Sequence, residues 1–402
     1  MPNPPARGRR FFSASDEEIV AGRTTDVYFA RTMEILKSKG KMRERALAEF
    51  TVGALPHGWP WAVMCGVEEA LRLFEGKHVS IHGLPEGTIF KPRSHSGIRI
   101  PVMTIEGPYS EYCVYETPAL GFLCHSTGVA TMSAHTRLAA KGTVLLSFGV
   151  RRMHPAISPM LDRSAFIGGC DSVSSVLGAE LIGEEPSGTM PHALVVMFGD
   201  QRLAFKAFDE VVDPKVPRVA LVDTYSDEKA EAIMAAEAMK DLYAVRLDTP
   251  ASRRGSMADL VREVRWELDV RGFNKVRIFV SGGLDDRSIP ELVAAGADGF
   301  GVGTSICNAP TVDFALDIVE REGRPVAKRG KLGGRKYAYR CEECLEWEVF
   351  SSTRRDPPCP RCGSKMQLAE KELMTNGKRT VEPASPRAIR ERVLQQLVKL
   401  GA

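Results

Sequence analysis

The chain has 402 residues, 44% of them hydrophobic and 26% charged, which leaves room for two or three soluble domains with sizeable cores. A net charge of +3 is too small to argue for nucleic acid or an anionic membrane, and no apolar run approaches the length of a spanning helix. Nine cysteines, four of them in two C-x-x-C pairs, predict a reducing cytoplasm and one metal site rather than a disulfide framework.

Residues 1–12 are rich in Pro and Arg, lack the apolar stretch of a signal peptide and read as a loose arm. From 16 to 39 the apolar residues Ile19, Val20, Val27, Phe29, Ile35 and Leu36 predict a helix. Residues 45–115 read as an α+β domain. Short strands are expected at 50–52, 61–64, 79–81 and 98–105, separated by the turn signals Gly58-Trp59-Pro60 and Leu84-Pro85-Glu86-Gly87, with one helix at 67–74.

Alternation follows. A helix at 128–141 leads to a strand at 144–148, and helices are expected at 172–181, 191–198 and 201–211. Then come a strand at 219–223 and a helix at 226–240 with Ser226 as N-cap, a strand at 244–248 and a helix at 257–270. A strand at 276–280, a helix at 288–295 and a strand at 300–302 close the series. Repeated strand–helix units with apolar strands mean a parallel sheet, and about five strands suit a partial or irregular β/α barrel better than a complete eightfold one. Past Arg321 a Lys-, Arg- and Gly-rich linker leads to a small cysteine module. A final amphipathic helix follows, with Ser385 as N-cap, Pro386 at its first turn, and Ile389, Val393, Leu397 and Leu400 on one face; it is expected to pack on the N-terminal domain. The predicted division is an N-terminal α/β sandwich (13–118), a β/α barrel (119–325), a zinc knuckle (326–382) and a C-terminal helix (383–402).

Two glycine clusters, Ser281-Gly282-Gly283-Leu284 and Gly299-Phe300-Gly301-Val302-Gly303-Thr304-Ser305, fall at strand ends. Glycine lets main-chain N–H groups approach an anion, and two such turns on one barrel edge suit a phosphate site; glycine for tight packing alone is the bland alternative. Arg246 and Asp248 stand two apart on a strand and share a face, and Asp223 ends the preceding strand. Carboxylates there could hold Mg²⁺ on a pyrophosphate and stabilise positive charge on a ribose carbon, while arginine could grip phosphate; a buried ion pair is the alternative. Phe148 beside Arg151 and Arg152 offers an aromatic face with guanidinium groups for a flat anionic ring. Asp171 precedes an expected helix, and His192 follows a Gly-Thr turn, where a histidine by itself is more often structural. Cys341-x-x-Cys344 and Cys359-x-x-Cys362, 14 residues apart, complete a Cys₄ set for a structural zinc with no open position for catalysis.

Phe148-Gly149-Val150-Arg151-Arg152, Gly169-Cys170-Asp171-Ser172, Gly188-Thr189-Met190-Pro191-His192, Val245-Arg246-Leu247-Asp248-Thr249 and the two glycine clusters, in that order, resemble nicotinate phosphoribosyltransferase in the form with a C-terminal cysteine knuckle. Thr25-Asp26-Val27-Tyr28 resembles that family's N-terminal Thr-Asp-x-Tyr. The likeness runs from about Thr25 to Cys362. It implies a homodimer with a shared active site that joins nicotinate and phosphoribosyl pyrophosphate, coupled to ATP hydrolysis. By that resemblance Tyr28 of one subunit and Phe148 of the other would sandwich the pyridine, with Arg151 and Arg152 by its carboxylate and Arg246 near the ring and phosphates. Asp248 would bind ribose hydroxyls, Asp223 would lie near pyrophosphate and Mg²⁺, and Gly282, Gly283, Gly301, Gly303 and Thr304 would hold the 5′-phosphate. His192 would accept phosphate from ATP. Asp171 would stand near the ring, where related nicotinamide enzymes place an acid, whereas the paired arginines favour a carboxylate.

Three alternatives remain at this point. The substrate could be nicotinamide, or quinolinate on a similar barrel with loss of a carboxyl group. In a different class, the cysteine module could be a zinc ribbon that binds nucleic acid, a reading the small net charge disfavours.

Overall fold

The computed structural model describes residues 11–401, so most of the expected N-terminal arm lies outside the described residues. The chain forms two compact units. One comprises residues up to Thr127 together with Thr311–Ala384, and the other Gly128–Pro310 together with residues from Ser385 onward.

The first unit is built on a seven-stranded antiparallel sheet. Its order is Arg324–Pro325, Phe314–Arg321, Arg45–Val52, Met103–Pro108, Ser80–Gly83, Lys371–Thr375 and Lys378–Arg379. Phe50, Ile81 and Ile105 are buried in its strands. Two segments differ from the sequence reading. Phe314–Arg321, expected within the barrel domain, pairs with Arg45–Val52 across register partners such as Phe50 and Leu316. Lys371–Thr375, expected in the cysteine module, returns to this sheet beside Ser80–Gly83. The helix expected at 16–39 is two helices, Asp16–Val20 and Val27–Ser38; Gly22 takes φ +69°, and Asp26 sits before the second helix in extended geometry.

The second unit is an all-parallel six-stranded sheet, a half-barrel of the expected class. Its order is Ser172–Val173, Val144–Ser147, Gly299–Val302, Arg277–Ser281, Leu242–Leu247 and Arg218–Leu221. Leu145 aligns with Phe300, and Phe300 with Val280, so the strands end together. Leu146, Val219, Ala244 and Phe279 form one buried cluster, as apolar strands covered on both faces require. The expected helices at 201–211 and 257–270 appear with those bounds, capped by Asp200 and Ser256.

Three local expectations are corrected. Ser172–Val173 is a strand, and the helix begins only at Val176 with Ser175 as its N-cap. Asp227, not Ser226, caps helix Glu228–Ala238 by accepting the Ala230 N–H. The C-terminal helix Pro386–Gly401 is capped by Ser385 as expected, but it belongs to the second unit. There its Arg390 Nε donates to the Cys170 carbonyl at 2.9 Å, and the guanidinium lies over Phe166 at 5.4 Å.

Candidate active site

The carboxyl ends of the parallel strands surround a cavity of about 710 Å³. It is lined by Phe148, Arg151, Arg152, His192, Arg246, Asp248, Gly282, Gly283, Gly301, Gly303 and Thr304, eleven residues singled out in the sequence from five separate segments. Ser174, Thr189, Ser281, Asp285 and Ser305 line it as well. A parallel sheet brings these segments together because every strand delivers its following loop to the same edge.

Phe148 leaves strand Val144–Ser147 with its amide bonded to the Val302 carbonyl at 2.9 Å. A Cβ on Gly301 would lie 2.4 Å from the Phe148 ring, so ring packing alone accounts for glycine there. Gly282 and Gly283 are glycines for another reason. Their φ values of +90° and +70° are costly for any residue with a Cβ, and the turn carries main chain along the cavity wall.

Asp248 and Arg246 both face the cavity, as their spacing predicts. Asp248 Oδ1 accepts from Ser281 Oγ at 2.7 Å, while Oδ2 lies 3.6 Å from Arg246 Nη2 and 3.8 Å from His192 Nε2. The Arg246 guanidinium stands 5.9 Å from the Phe148 ring centre, and its buried Nε has no partner. Burial draws the Arg246 pKa below the ordinary arginine value, opposed by the charges of Asp248 and Asp223.

Asp223 lies just behind this pair. Its Oδ2 accepts from Asp248 N at 3.1 Å and Thr249 Oγ1 at 3.0 Å; its Oδ1 has no hydrogen-bond partner and faces His192 Nε2 at 3.7 Å. Burial raises the Asp223 pKa above the ordinary aspartate value, against the hydrogen bond from Thr249 and the His192 charge. An orphaned carboxylate oxygen beside a second carboxylate fits a hard cation. His192 begins helix His192–Phe198, and its Nδ1 is 3.1 Å from Thr224 Oγ1.

Asp171 is not at this cavity. It sits before strand Ser172–Val173, at the strand's opposite end, where Arg137 Nη1 donates to its Oδ2 at 2.9 Å and Arg390 Nη2 to its Oδ1 at 2.6 Å. The Leu145 N–H also donates to Oδ2, at 2.8 Å. The residue was misplaced because the helix expected from residue 172 starts only at Val176. Tyr28 belongs to the first unit and is more than half exposed, its hydroxyl donating to Asp26 Oδ2 at 3.3 Å.

Several supporting groups carried no sequence signal of their own. Thr249 Oγ1 is shared between Asp223 and Glu228, the latter at 2.5 Å. Asp162 is fully buried and accepts from the Ser175 amide at 3.2 Å, from the Ser175 hydroxyl, and from Ser147 Oγ at 3.4 Å, which ties down the loop that carries Ser174. Such residues act through neighbours, so residue type alone does not announce them, even where, as with Thr249, they stand inside a sequence motif.

In the first unit Cys341, Cys344, Cys359 and Cys362 gather so that all four Sγ atoms lie within 4.8 Å of one another. Cys341–Cys362 and Cys344–Cys359 are 3.5 and 3.6 Å apart, close to the roughly 3.8 Å edge of a tetrahedron with zinc–sulfur bonds of about 2.3 Å. Leu345 at φ +57° and Gly363 at φ +79° turn the chain after each pair.

Residues 26–127 match the N-terminal domain, and residues 129–317 the C-terminal domain, of the quinolinate phosphoribosyl transferase family. The solved structure of nicotinate-nucleotide pyrophosphorylase from Pyrococcus furiosus is 52% identical, covers 98% of this chain and 99% of its own, and superposes with a TM-score of 0.93. Nicotinate phosphoribosyltransferase pncB1 of Mycobacterium tuberculosis is 29% identical over 382 residues, covering 84% of this chain and 82% of that protein. The structure of human nicotinic acid phosphoribosyltransferase shares 19% identity, covers 93% of this chain and 94% of its own, and has a TM-score of 0.73, a likeness of fold. Among the described residues no helix is long and apolar enough to cross a membrane.

Proposed function

The chain belongs to the quinolinate phosphoribosyl transferase family, and we propose that it transfers the phosphoribosyl group of phosphoribosyl pyrophosphate to nicotinate, giving nicotinate mononucleotide and pyrophosphate in NAD synthesis. The observation that carries this reading is the convergence of Arg246, Asp248, His192 and the Gly282-Gly283 turn on one cavity beside Phe148. In the reaction the bond from ribose C1 to the pyrophosphate oxygen breaks, and the leaving group takes its electron pair. The pyridine nitrogen then supplies the pair for the new C1–N bond, so no base is needed for attack.

What the chain's residues contribute follows from charge. Asp248 holds ribose hydroxyls and, with Asp223, offsets the positive charge that grows on C1. The orphaned Asp223 Oδ1 and the neighbouring Asp248 carboxylate suit Mg²⁺, which would supply charge neutralisation on the departing pyrophosphate. Main chain at Gly282, Gly283, Gly303 and Thr304 lines the wall where the 5′-phosphate would rest. Phe148 gives the pyridine a flat apolar face, and Arg151 and Arg152 supply cations for its carboxylate. With Asp171 committed to Arg137 and Arg390, no acid at that position is free to accept from an amide, which favours nicotinate over nicotinamide.

His192 accepts phosphate from ATP in this reading, and the added charge would order nearby loops and drive the transfer. The protein works as a cytoplasmic homodimer in which Tyr28 completes the partner's ring pocket. Exposed Val27, Tyr28 and Ile35 on one helix give an apolar strip suited to burial against a second copy. The Cys₄ set holds a structural zinc.

Quinolinate is the second reading, favoured by the family's own description. It carries two carboxylates, whereas the cavity offers three arginines, one of them paired with Asp248. Incubation with phosphoribosyl pyrophosphate, Mg²⁺ and each of nicotinate, nicotinamide and quinolinate separates the readings by product mass. Mononucleotide from nicotinate without carbon dioxide release is expected; carbon dioxide released from quinolinate would overturn the assignment.

A further inference from the structure

Glu231 is fully buried although it lies in the first turn of a helix. From helix Glu228–Ala238 its carboxylate reaches back to the turn after strand Arg218–Leu221. There it accepts three consecutive amides: Thr224 N at 2.9 Å, Tyr225 N at 2.7 Å and Ser226 N at 2.8 Å. The helix does not need this as a cap, because Asp227 already accepts the Ala230 N–H at 2.9 Å. A carboxylate withdrawn from water and spent on one turn rigidifies that turn, since three charge-assisted bonds must break for it to move.

One side chain of the turn meets His192, a residue of the cavity wall. Thr224 Oγ1 lies 3.1 Å from His192 Nδ1, while His192 Nε2 faces Asp223 Oδ1 at 3.7 Å and Asp248 Oδ2 at 3.8 Å. Two carboxylate oxygens repel a nitrogen lone pair and attract an N–H, so the ring proton belongs on Nε2. Nδ1 then carries the lone pair, and the Thr224 hydroxyl donates to it.

We propose that Glu231 and Thr224 are positioning residues for His192: the buried carboxylate fixes the 224–226 turn, and the hydroxyl it holds in place sets the imidazole in the Nε2–H tautomer facing Asp223 and Asp248. The proposal rests on the ATP-coupled reading of His192 for its kinetic consequence, but not for the tautomer itself. Glu231→Gln keeps the side-chain shape but turns an NH₂ toward the Thr224 or Tyr225–Ser226 amides, so at least one of the three bonds is lost. Thr224→Val removes the hydroxyl alone, and Thr224→Ser restores it.

The test uses full-length protein labelled with ¹⁵N-histidine, with the His192 signals assigned by their loss in His192→Ala. Long-range ¹⁵N couplings read the tautomer under conditions where the ring is neutral. The wild type should show Nε2–H. Thr224→Val should show a mixture, Thr224→Ser should return to the wild-type pattern, and Glu231→Gln should fall between if it folds. In parallel, the ratio of turnover with and without ATP should fall about threefold to tenfold in Thr224→Val and recover in Thr224→Ser, as expected for one lost hydrogen bond. A wild-type tautomer and an unchanged ATP ratio in Thr224→Val would overturn the proposal. So would Thr224→Ser behaving like Thr224→Val. If the wild type itself shows no ATP stimulation, the ATP-coupled reading fails, and the tautomer comparison still decides the role of Thr224.

Discussion

Asp171 and Asp223 are aspartates flanking the two edge strands of one six-stranded half-barrel, at opposite strand ends, and the protein treats them oppositely. Asp171, at the amino end of its strand, is saturated by Arg137, Arg390 and a main-chain amide. Asp223, at the carboxyl end, is buried with one oxygen left unpartnered beside His192. Burying a polar atom without a partner costs free energy, of order 1–3 kcal/mol, and a fold retains that cost where a ligand removes it. The contrast separates a carboxylate that holds the barrel together from one that, in the proposed function, is left for cation and substrate.

The largest effect should come from the carboxyl end. Asp248→Ala removes the partner of Arg246, His192 and Ser281 together and should lower turnover by about 100-fold or more in a mononucleotide assay. A rate within a few-fold of wild type would remove Asp248 from the chemistry. Next, His192→Ala should bring the ratio of rates with and without ATP to about one; an unchanged ratio would rule out the phosphate-accepting role.

Asp223 sharpens the contrast through stability. Its pKa is raised in the folded protein, so folding is favoured with the proton on. The stabilisation associated with that proton is complete below the ordinary aspartate value of 3.8 and is lost as pH rises through the folded value. Asp223→Asn cannot ionise, so it should melt at a higher temperature than wild type near neutral pH while losing activity. The difference should close as pH falls below about 4. A variant that melts lower at neutral pH would mean the unpartnered oxygen is not strained.

The smallest catalytic effect belongs to the amino end. Arg390→Ala should cost about 1 kcal/mol or less of stability, because Asp171 is more than a third exposed, and should leave the choice among pyridine substrates unaltered. A switch toward nicotinamide in that variant would bring Asp171 back into the substrate pocket. In the other unit, Cys359→Ser should reduce bound zinc and lower the melting temperature more than it lowers turnover.

The same contrast explains what could be read from residues alone. The cysteine set was legible because four cysteines fall within 22 residues at knuckle spacing, from Cys341 to Cys362. Arg246 and Asp248 were legible because strand alternation puts both on one face, and the Gly282-Gly283 turn because paired glycines at a strand end mark positive φ, whereas Gly301 is glycine for packing against Phe148. Asp171 was not legible: Ser172–Val173 is too short a strand to show a period of two, so nothing marked which end of it the aspartate occupies. Phe314–Arg321 escaped because its partner Arg45–Val52 lies far away in sequence, and only that pairing makes it part of the first unit. Thr249 and Glu231 act through hydrogen bonds to a turn or a second acid, and residue type alone does not distinguish them from ordinary loop and helix residues.

A crystal structure with phosphoribosyl pyrophosphate, Mg²⁺ and nicotinate tests the central claim most directly. The account predicts the 5′-phosphate on main chain at Gly282, Gly283, Gly303 and Thr304, the metal beside Asp223 and Asp248, and the pyridine against Phe148. Substrate density elsewhere, with the cavity beside Asp248 holding only water, would contradict it.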